Sequence, residues 1–433
     1  MENFRIESLE INKIGAFEHI KMDFPKKTDP DTAEINILTG ENGTGKSTIL
    51  ECFVESIIFA VSNKDLSFYK KNHFGDSYFA VKFENHKTSK FIFHGDYYPP
   101  VSSIPKFIDD YRITYYPSLN TTHYTPLNEF EVAFFAYSGY RRVSEVKIIG
   151  PKEITDTPLM SSLDFNKSIN PENLIQWIVN TITRELNAKG RGDFEKAKSF
   201  KESLKTLENI ICEITNKNIL FDVNDDFDVL VIIDEFYLHF DVLPDGLKSM
   251  ISWIGDLLMR MDRIKWKDDL PIFERNFILF LDEIEVHLHP AWQRKILPVV
   301  QKLFKNAQIF ISTHSPFVVG SVDGAWVHKL KKEGAFAVLD GEPVLSEDAE
   351  SYNTILEEVF GITKRFGDPI EDLLAEFRAI TREILKGNED NIERWNEIIS
   401  IFAKQERPDE IMSVIKPIRN QINRIRNQVE AIY

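Results

Sequence analysis

Cysteine is nearly missing: Cys52 and Cys212 are the only two in 433 residues. Two thiols cannot build a disulfide framework, so a reducing, cytoplasmic setting is expected. Long apolar runs are missing too, and no stretch approaches the roughly 18 residues a membrane-spanning helix needs. The opening residues, MENFRIESLEINKIGAF, carry acids and no apolar signal core, so no export signal is expected. Positive charge is in short supply: 52 Lys and Arg face 68 Asp and Glu, a net charge of −16. Such a chain repels phosphate overall and is a poor non-specific binder of nucleic acid; only a local basic groove in an oligomer would change that. No internal repeat or low-complexity tract occurs. The 43% hydrophobic content is enough for a large core in one or two domains.

The pattern of apolar residues alternates between strand and helix. Residues 4–12, 18–24 and 34–39 read as strands, and a helix follows Lys46 with Ile49, Leu50, Phe53, Val54, Ile57, Ile58 and Val61 on one stripe. Phe79, Val81 and Phe83 alternate and pair back with Phe91–Phe93 as a hairpin. Residues 97–128 read as loop and Val132–Tyr137 as a strand. Residues 150–220 are helical and polar, strands return near 226, and a long amphipathic helix covers 247–264. Further buried strands end at Leu281 and Thr313, and the chain is helical and polar from 350 onward.

Three segments carry chemistry. Gly40-Glu41-Asn42-Gly43-Thr44-Gly45-Lys46-Ser47 fits G-x-x-x-x-G-K-[ST] between an apolar strand and an amphipathic helix. Its glycines let backbone N–H groups wrap phosphate, and the helix N-terminus adds partial positive charge. Lys46 is expected on the terminal phosphates and Ser47 on Mg²⁺, with Thr48 beside them at the helix start. A second Mg²⁺-holding acid must end a buried strand. Leu230–Glu235 and Phe277–Glu283 both place Asp-Glu after an apolar run, so the strings alone do not decide. Their surroundings do. Asp234-Glu235 lies between two short apolar runs, as a hairpin tip would. Asp282-Glu283 is followed, about thirty residues on, by the strand Ile309–Ser312 and then His314. Ends of neighbouring parallel strands converge on one crevice. Asp282 is therefore assigned to Mg²⁺, Glu283 to the attacking water and His314 to a γ-phosphate hydrogen bond. His287 and His289 form an H-x-H pair without a third zinc ligand at suitable spacing. Leu243–Ser249 opens the long helix, which Asp245 or a neighbour is expected to cap.

The order of these motifs resembles the ABC ATPases of the RecF/SMC-like branch. Asp282-Glu283-Ile284-Glu285-Val286-His287-Leu288-His289-Pro290 with Gln293 resembles the D-E-x-E-x-H-L-H-P-x-x-Q run of OLD-like ATPases, and Ser312–Pro316 matches their switch-histidine motif. The likeness covers most of the chain and is nearest to the ATPase subunits of Septu-type and retron-associated anti-phage defence systems. It implies an α/β fold: an ABC-type core with a mixed β-sheet and P-loop, an inserted helical lobe and a helical C-terminal region. The expected divisions are 1–148 for the first part of the core, 149–225 for the lobe, 226–345 for the rest of the core and 346–433 for partner contacts.

The resemblance also implies ATP and Mg²⁺ as cofactors and a head-to-tail homodimer. In that dimer Asp245, Gly246 and Lys248 at the signature helix reach the partner's nucleotide. It implies a separate nuclease subunit as partner, nucleic acid reached through the complex, and no membrane. Two departures stand out. Pro244 and Asp245 replace a serine and a glycine of L-S-G-G-Q, which leaves open a nucleotide-gated scaffold with little turnover. No glutamine precedes Gln176, so Tyr137–Arg142 would fill the Q-loop place, with Arg141 or Arg142 facing either nucleotide or solvent. No D-x-D follows His314 and no H-N-H signature occurs, so no nuclease centre is expected in this chain. Ile418, Ile422, Ile425, Val429 and Ile432, flanked by Arg419, Arg424 and Arg426, offer a short helical seam for a partner or second copy, or for packing on its own domain. The rival readings are a RecF-like repair factor that binds DNA directly and a transporter ATPase.

Overall fold

The computed structural model describes residues 4–58, 77–92, 104–108, 111, 129–139, 146–165, 169–347, 352–360, 366–386, 388, 390–405, 411, 414–416 and 420. Most of the 97–128 segment, Val61, Phe93, Arg141, Arg142 and the seam from Ile418 to Ile432 with its arginines lie outside the described residues.

Apolar runs without alternation become buried parallel strands, because helices and loops cover both faces of such a sheet. Strand β3 (Glu34–Gly40) is such a run. It pairs in parallel with β11 (Ala307–Ser312) on one side and β12 (Trp326–Glu333) on the other. Beyond β11 come β10 (Asn276–Asp282) and β6 (Val132–Ser138), also parallel. β13 (Phe336–Leu339) and β14 (Val344–Leu345) pair antiparallel with β12, so the sheet is mixed. Alternating segments instead make an antiparallel sheet in the order β2-β1-β4-β5, from Ile6–Ile14, Phe17–Asp23, Tyr78–Phe83 and Ser89–Ile92. In its hairpin Phe79 sits opposite Phe91, with the rings stacked at 4.7 Å. A third, three-stranded sheet holds β7 (Ile219–Val223), β8 (Val229–Ile233) and β9 (Phe236–His239).

Helix α1 (Lys46–Ile58) is buried almost all round beneath the parallel sheet. Phe53 packs on Phe310 at 4.6 Å and Phe280 at 5.5 Å, while Phe24 meets both Phe53 and Phe310. These rings set where the helix begins, and so where Ser47 stands. Helices α2 (Pro171–Gly190) and α3 (Phe194–Thr215) occupy the segment expected as a lobe. Asn170 caps α2 and Asp193 caps α3, each side chain accepting from backbone N–H groups. Both helices pack on α4 (Asp245–Arg263). Inside α4, Asp256 accepts from the Tyr137 hydroxyl at 2.8 Å and from the Arg260 Nε at 2.6 Å, which ties the helix to β6. Then follow α5 (Pro290–Leu303), the short α6 (Pro316–Val319) and α7 (Tyr352–Glu358).

The chain divides into two units, Met1–Phe360 and Gly361–Tyr433. The second has its own core, where α8 (Asp368–Leu385) and α9 (Ile392–Ala403) bring Leu374, Phe377, Ile398 and Phe402 together. Phe377 stacks on Trp395 at 5.4 Å, and the Trp395 indole donates to Thr381 at 2.9 Å. No described helix is long and apolar enough to cross a membrane.

Candidate active site

The four strands β6, β10, β11 and β3 are parallel neighbours, so the residues just past their ends share one edge of the sheet. That edge carries Ser138-Gly139, Asp282-Glu283, Thr313-His314 and the loop from Gly40.

The loop leaves β3 in a conformation that needs glycine. Gly40, Gly43 and Gly45 have φ of 146°, 78° and 85°. A Cβ on Gly40 would lie 2.1 Å from the Leu330 carbonyl oxygen, and one on Gly45 would lie 2.6 Å from the Phe17 ring. Thr44 closes the turn by donating its hydroxyl to Glu41 O at 2.8 Å. Lys46 is buried and donates to Gly40 O at 2.9 Å and Glu41 O at 3.0 Å, spanning the mouth of the loop. Burial lowers its pKa to about 8, against the opposing pull of Asp282, Glu283 and Glu285. An ammonium held so, over a ring of backbone N–H groups, fits a phosphate chain.

Ser47 donates its hydroxyl to Asp282 Oδ1 at 3.1 Å, joining positions 235 residues apart. Ser312 also donates to Asp282 Oδ1, and its oxygen accepts from Glu283 N at 2.9 Å. A hydroxyl and a carboxylate side by side are the hard oxygen donors that suit Mg²⁺. Glu283 is half-buried with φ of 50°. Burial, and then neighbouring Asp282, raise its pKa, while Lys46 opposes them. Its backbone leans on β6. A Cβ on Gly139 would lie 2.6 Å from Glu283 O and 2.8 Å from Val286 Cγ2.

His314 lies beside this group. Its backbone N–H donates to Glu285 Oε1 at 2.6 Å. Burial lowers the imidazole pKa and Lys46 lowers it further, which favours the neutral ring that can donate one hydrogen bond. Gln293 holds both sides of the loop. It accepts from the Ser315 hydroxyl at 2.6 Å and donates to Leu288 O at 2.9 Å. His289 Nδ1 accepts from Ala291 N at 3.2 Å and caps α5, and His287 has φ of 65°.

The structure thus brings Gly40, Asn42, Gly43, Thr44, Gly45, Lys46, Ser47 and Thr48 to one edge with Asp282, Glu283 and His314. Asp245, Gly246 and Lys248 stand elsewhere. Among the described residues no hydrogen bond or ion pair joins them to the phosphate loop. Gly246 packs against the loop after Glu283, where a Cβ would lie 2.4 Å from His287 O. Lys248 donates back to Asp241 O. The expected cap by Asp245 or a neighbour falls to the neighbour: the N-cap is Pro244, whose ring offers no acceptor, and Leu247 and Lys248 donate to its carbonyl at 2.9 and 3.0 Å. Ser312, Gly139, Glu285 and Gln293 are parts of the site that sequence reasoning quoted without giving them a role.

The competing pair is elsewhere as well. Asp234 and Glu235 form the exposed turn between β8 and β9, outside the parallel sheet.

A family model described as an AAA domain matches residues 8–230, and a second, described as "AAA domain, putative AbiEii toxin, Type IV TA system", matches residues 168–320. Septu protein PtuA from Bacillus thuringiensis is 25% identical over 321 residues, 72% of this chain and 72% of that protein. Retron Ec83 probable ATPase from Escherichia coli is 31% identical over 154 residues; the match spans 34% of this chain and only 27% of that protein. Among solved structures, the SMC head domain from Thermotoga maritima covers 78% of this chain and 99% of its own, at 13% identity and a TM-score of 0.41. The first family match takes in more than half of the chain, which therefore belongs to the AAA-domain family of AAA/ABC-type ATPases.

Proposed function

We propose that the chain binds and hydrolyses Mg-ATP at this sheet edge and that the hydrolysis cycle regulates a separate effector protein. The observation that carries the reading is the Ser47–Asp282 contact, which joins the phosphate loop to the acid-bearing strand. Lys46 and the N–H groups of Gly43–Ser47 hold the phosphate chain. Ser47 and Asp282 hold Mg²⁺, which when bound neutralises charge on the phosphate oxygens. Glu283 accepts a proton from the attacking water, a task suited to a carboxyl whose pKa is raised. His314 donates a hydrogen bond to the terminal phosphate.

Among the described residues no hydrogen bond joins the start of α4 to the chain's own phosphate loop, and its N–H groups carry no side-chain cap. Those donors suit the nucleotide of a second copy, in a two-fold sandwich. The likeness to Septu protein PtuA supports a role in anti-phage defence, with a nuclease as the effector. A RecF-like repair role would require direct DNA grip with steep salt dependence, and the net charge of −16 speaks against it.

The deciding experiment compares wild type with Glu283→Gln for phosphate release and for mass in solution with Mg-ATP. Loss of turnover together with a larger, ATP-locked assembly is the expected result. Normal turnover in the variant would remove Glu283 from the mechanism. Nucleotide binding without turnover in either protein would make the chain a nucleotide-gated scaffold.

A further inference from the structure

Strand β12 runs alongside β3 and continues past it. Leu330 stands opposite Gly40, where the phosphate loop begins, and its carbonyl fills the space a Cβ on Gly40 would take. Side chains on a strand alternate, so Lys332 shares the face of Leu330 one step further along the loop. Its position bears this out. A Cβ on Gly43 would lie 3.6 Å from the Lys332 Nζ and 3.7 Å from its Cε. The ammonium therefore lies at the middle of the loop, on the β12 side, while Asp282 and His314 flank the loop from the β10 and β11 side.

The backbone beneath Lys332 is braced. It pairs with Ala337 of β13, and Ala337 N donates to Ala16 O at 2.9 Å, in the turn between β1 and β2. The neighbouring Lys331 faces the other way and pairs with Asp340 at 2.7 Å. Lys332 has no such partner: among the described residues it makes no ion pair or hydrogen bond. Two ammonium groups, Lys46 and Lys332, thus converge on one loop of a chain whose net charge is −16. Like charges brought together repel unless an anion lies between them.

We propose that Lys332 is a second lysine of the nucleotide site, a cation supplied by β12 that closes over Gly43 onto the phosphate chain of the bound nucleotide. This rests on the reading of the loop as an ATP site and adds a residue to it. Burial is the main cause of the lowered Lys46 pKa, and Lys332 adds to the lowering.

The test is equilibrium binding of ATP and ADP to the full chain, read by displacement of a fluorescent ATP analogue, with inorganic tripolyphosphate as a further competitor. Lys332→Ala is expected to weaken all three roughly tenfold, Lys332→Arg to restore most of the loss, and Lys331→Ala to change nothing. In turnover the same variant raises KM and leaves kcat within about twofold, because the contact is made before and during reaction alike. Wild-type affinity in Lys332→Ala overturns the proposal. An equal loss in Lys331→Ala also overturns it, since the effect would then be one of general charge. Failure of wild type to bind ATP is a different result, because it removes the nucleotide reading itself.

Discussion

Two Asp-Glu pairs follow apolar strands in this chain, and they end in opposite situations. Asp282-Glu283 closes β10, which lies between β11 and β6 in the parallel sheet, so its end abuts the phosphate loop and the His314 segment. Asp234-Glu235 closes β8, which lies between two antiparallel partners, so the chain turns straight back into β9 and leaves both acids in solvent. The first pair meets Ser47, Ser312 and Lys46. The second meets Asn218 N at 3.3 Å and the exposed Lys217 at 3.4 Å. The dipeptide is the same, and the strand's neighbours decide whether it meets the phosphate loop or solvent.

The comparison breaks or holds most sharply at the glutamates. Glu283→Gln removes the proposed proton acceptor, and phosphate release is expected to fall at least roughly 100-fold. Glu235→Gln should leave it unchanged. Equal rates in the two variants would end the assignment. Next in size is the support of the acids. Ser312→Ala strips a donor from Asp282 and an acceptor from Glu283 N, and turnover is expected to drop roughly ten- to a hundredfold. Lys217→Ala, which strips Asp234 of its cation, should cost no activity. Thermal melts of both variants separate a loss of catalysis from a loss of fold.

How much of this was legible beforehand depends on the range of the interaction. The phosphate loop and the apolar stripe of α1 are local patterns, and a strand–loop–helix signature needs no knowledge of partners; the acids at the end of β10 are told from Asp234-Glu235 only by the strand and His314 that follow them. Ser312 sat in view within Ser312–Pro316, but its role comes from the β10–β11 register that puts its hydroxyl against Asp282. Gly139 lies in the segment expected at the Q-loop place, but its contact with Glu283 follows from β6 pairing with β10, which puts Ser138 opposite Asp282. Lys332 is a surface lysine in sequence; only the parallel pairing of β12 with β3 brings it to Gly43. The cap expected from Asp245 or a neighbour falls to Pro244, which leaves the helix without a side-chain cap for a local reason: proline has no side-chain acceptor.

A third difference concerns protons. The acids of the sheet edge face a buried lysine with a pKa of about 8, whereas the exposed turn has no counterpart. Free protein therefore carries a charged Lys46 below pH 8 and loses that charge above it. With the charged form as the phosphate binder, ATP affinity should be full near pH 7 and fall roughly tenfold by pH 9. Lys46→Arg, which does not titrate there, should bind with a flat profile. A flat profile in wild type would sever Lys46 from the phosphates. The sign for stability is opposite. The unfolded chain keeps its lysine proton to higher pH than the folded one, so above pH 8 the folded state gains stability until the unfolded value of 10.5 is passed.

The smallest expected effect is also the cleanest contrast. Glu235 and Glu283 are both held at positive φ, 77° and 50°, a conformation in which a side chain crowds its own backbone. At Glu235 nothing is obtained in return, since the side chain points into solvent. At Glu283 the same backbone aims a carboxyl into the site and is wedged there by Gly139 and Ser312. Glycine removes the strain at either place. Glu235→Gly should therefore raise stability by up to about 1 kcal/mol, less the entropy that glycine adds to the unfolded chain, with turnover untouched. Glu283→Gly relieves strain too but abolishes turnover. Chemical denaturation of the two variants beside phosphate release gives both readouts. Loss of stability in Glu235→Gly would mean that the exposed turn, like the site, depends on its acid.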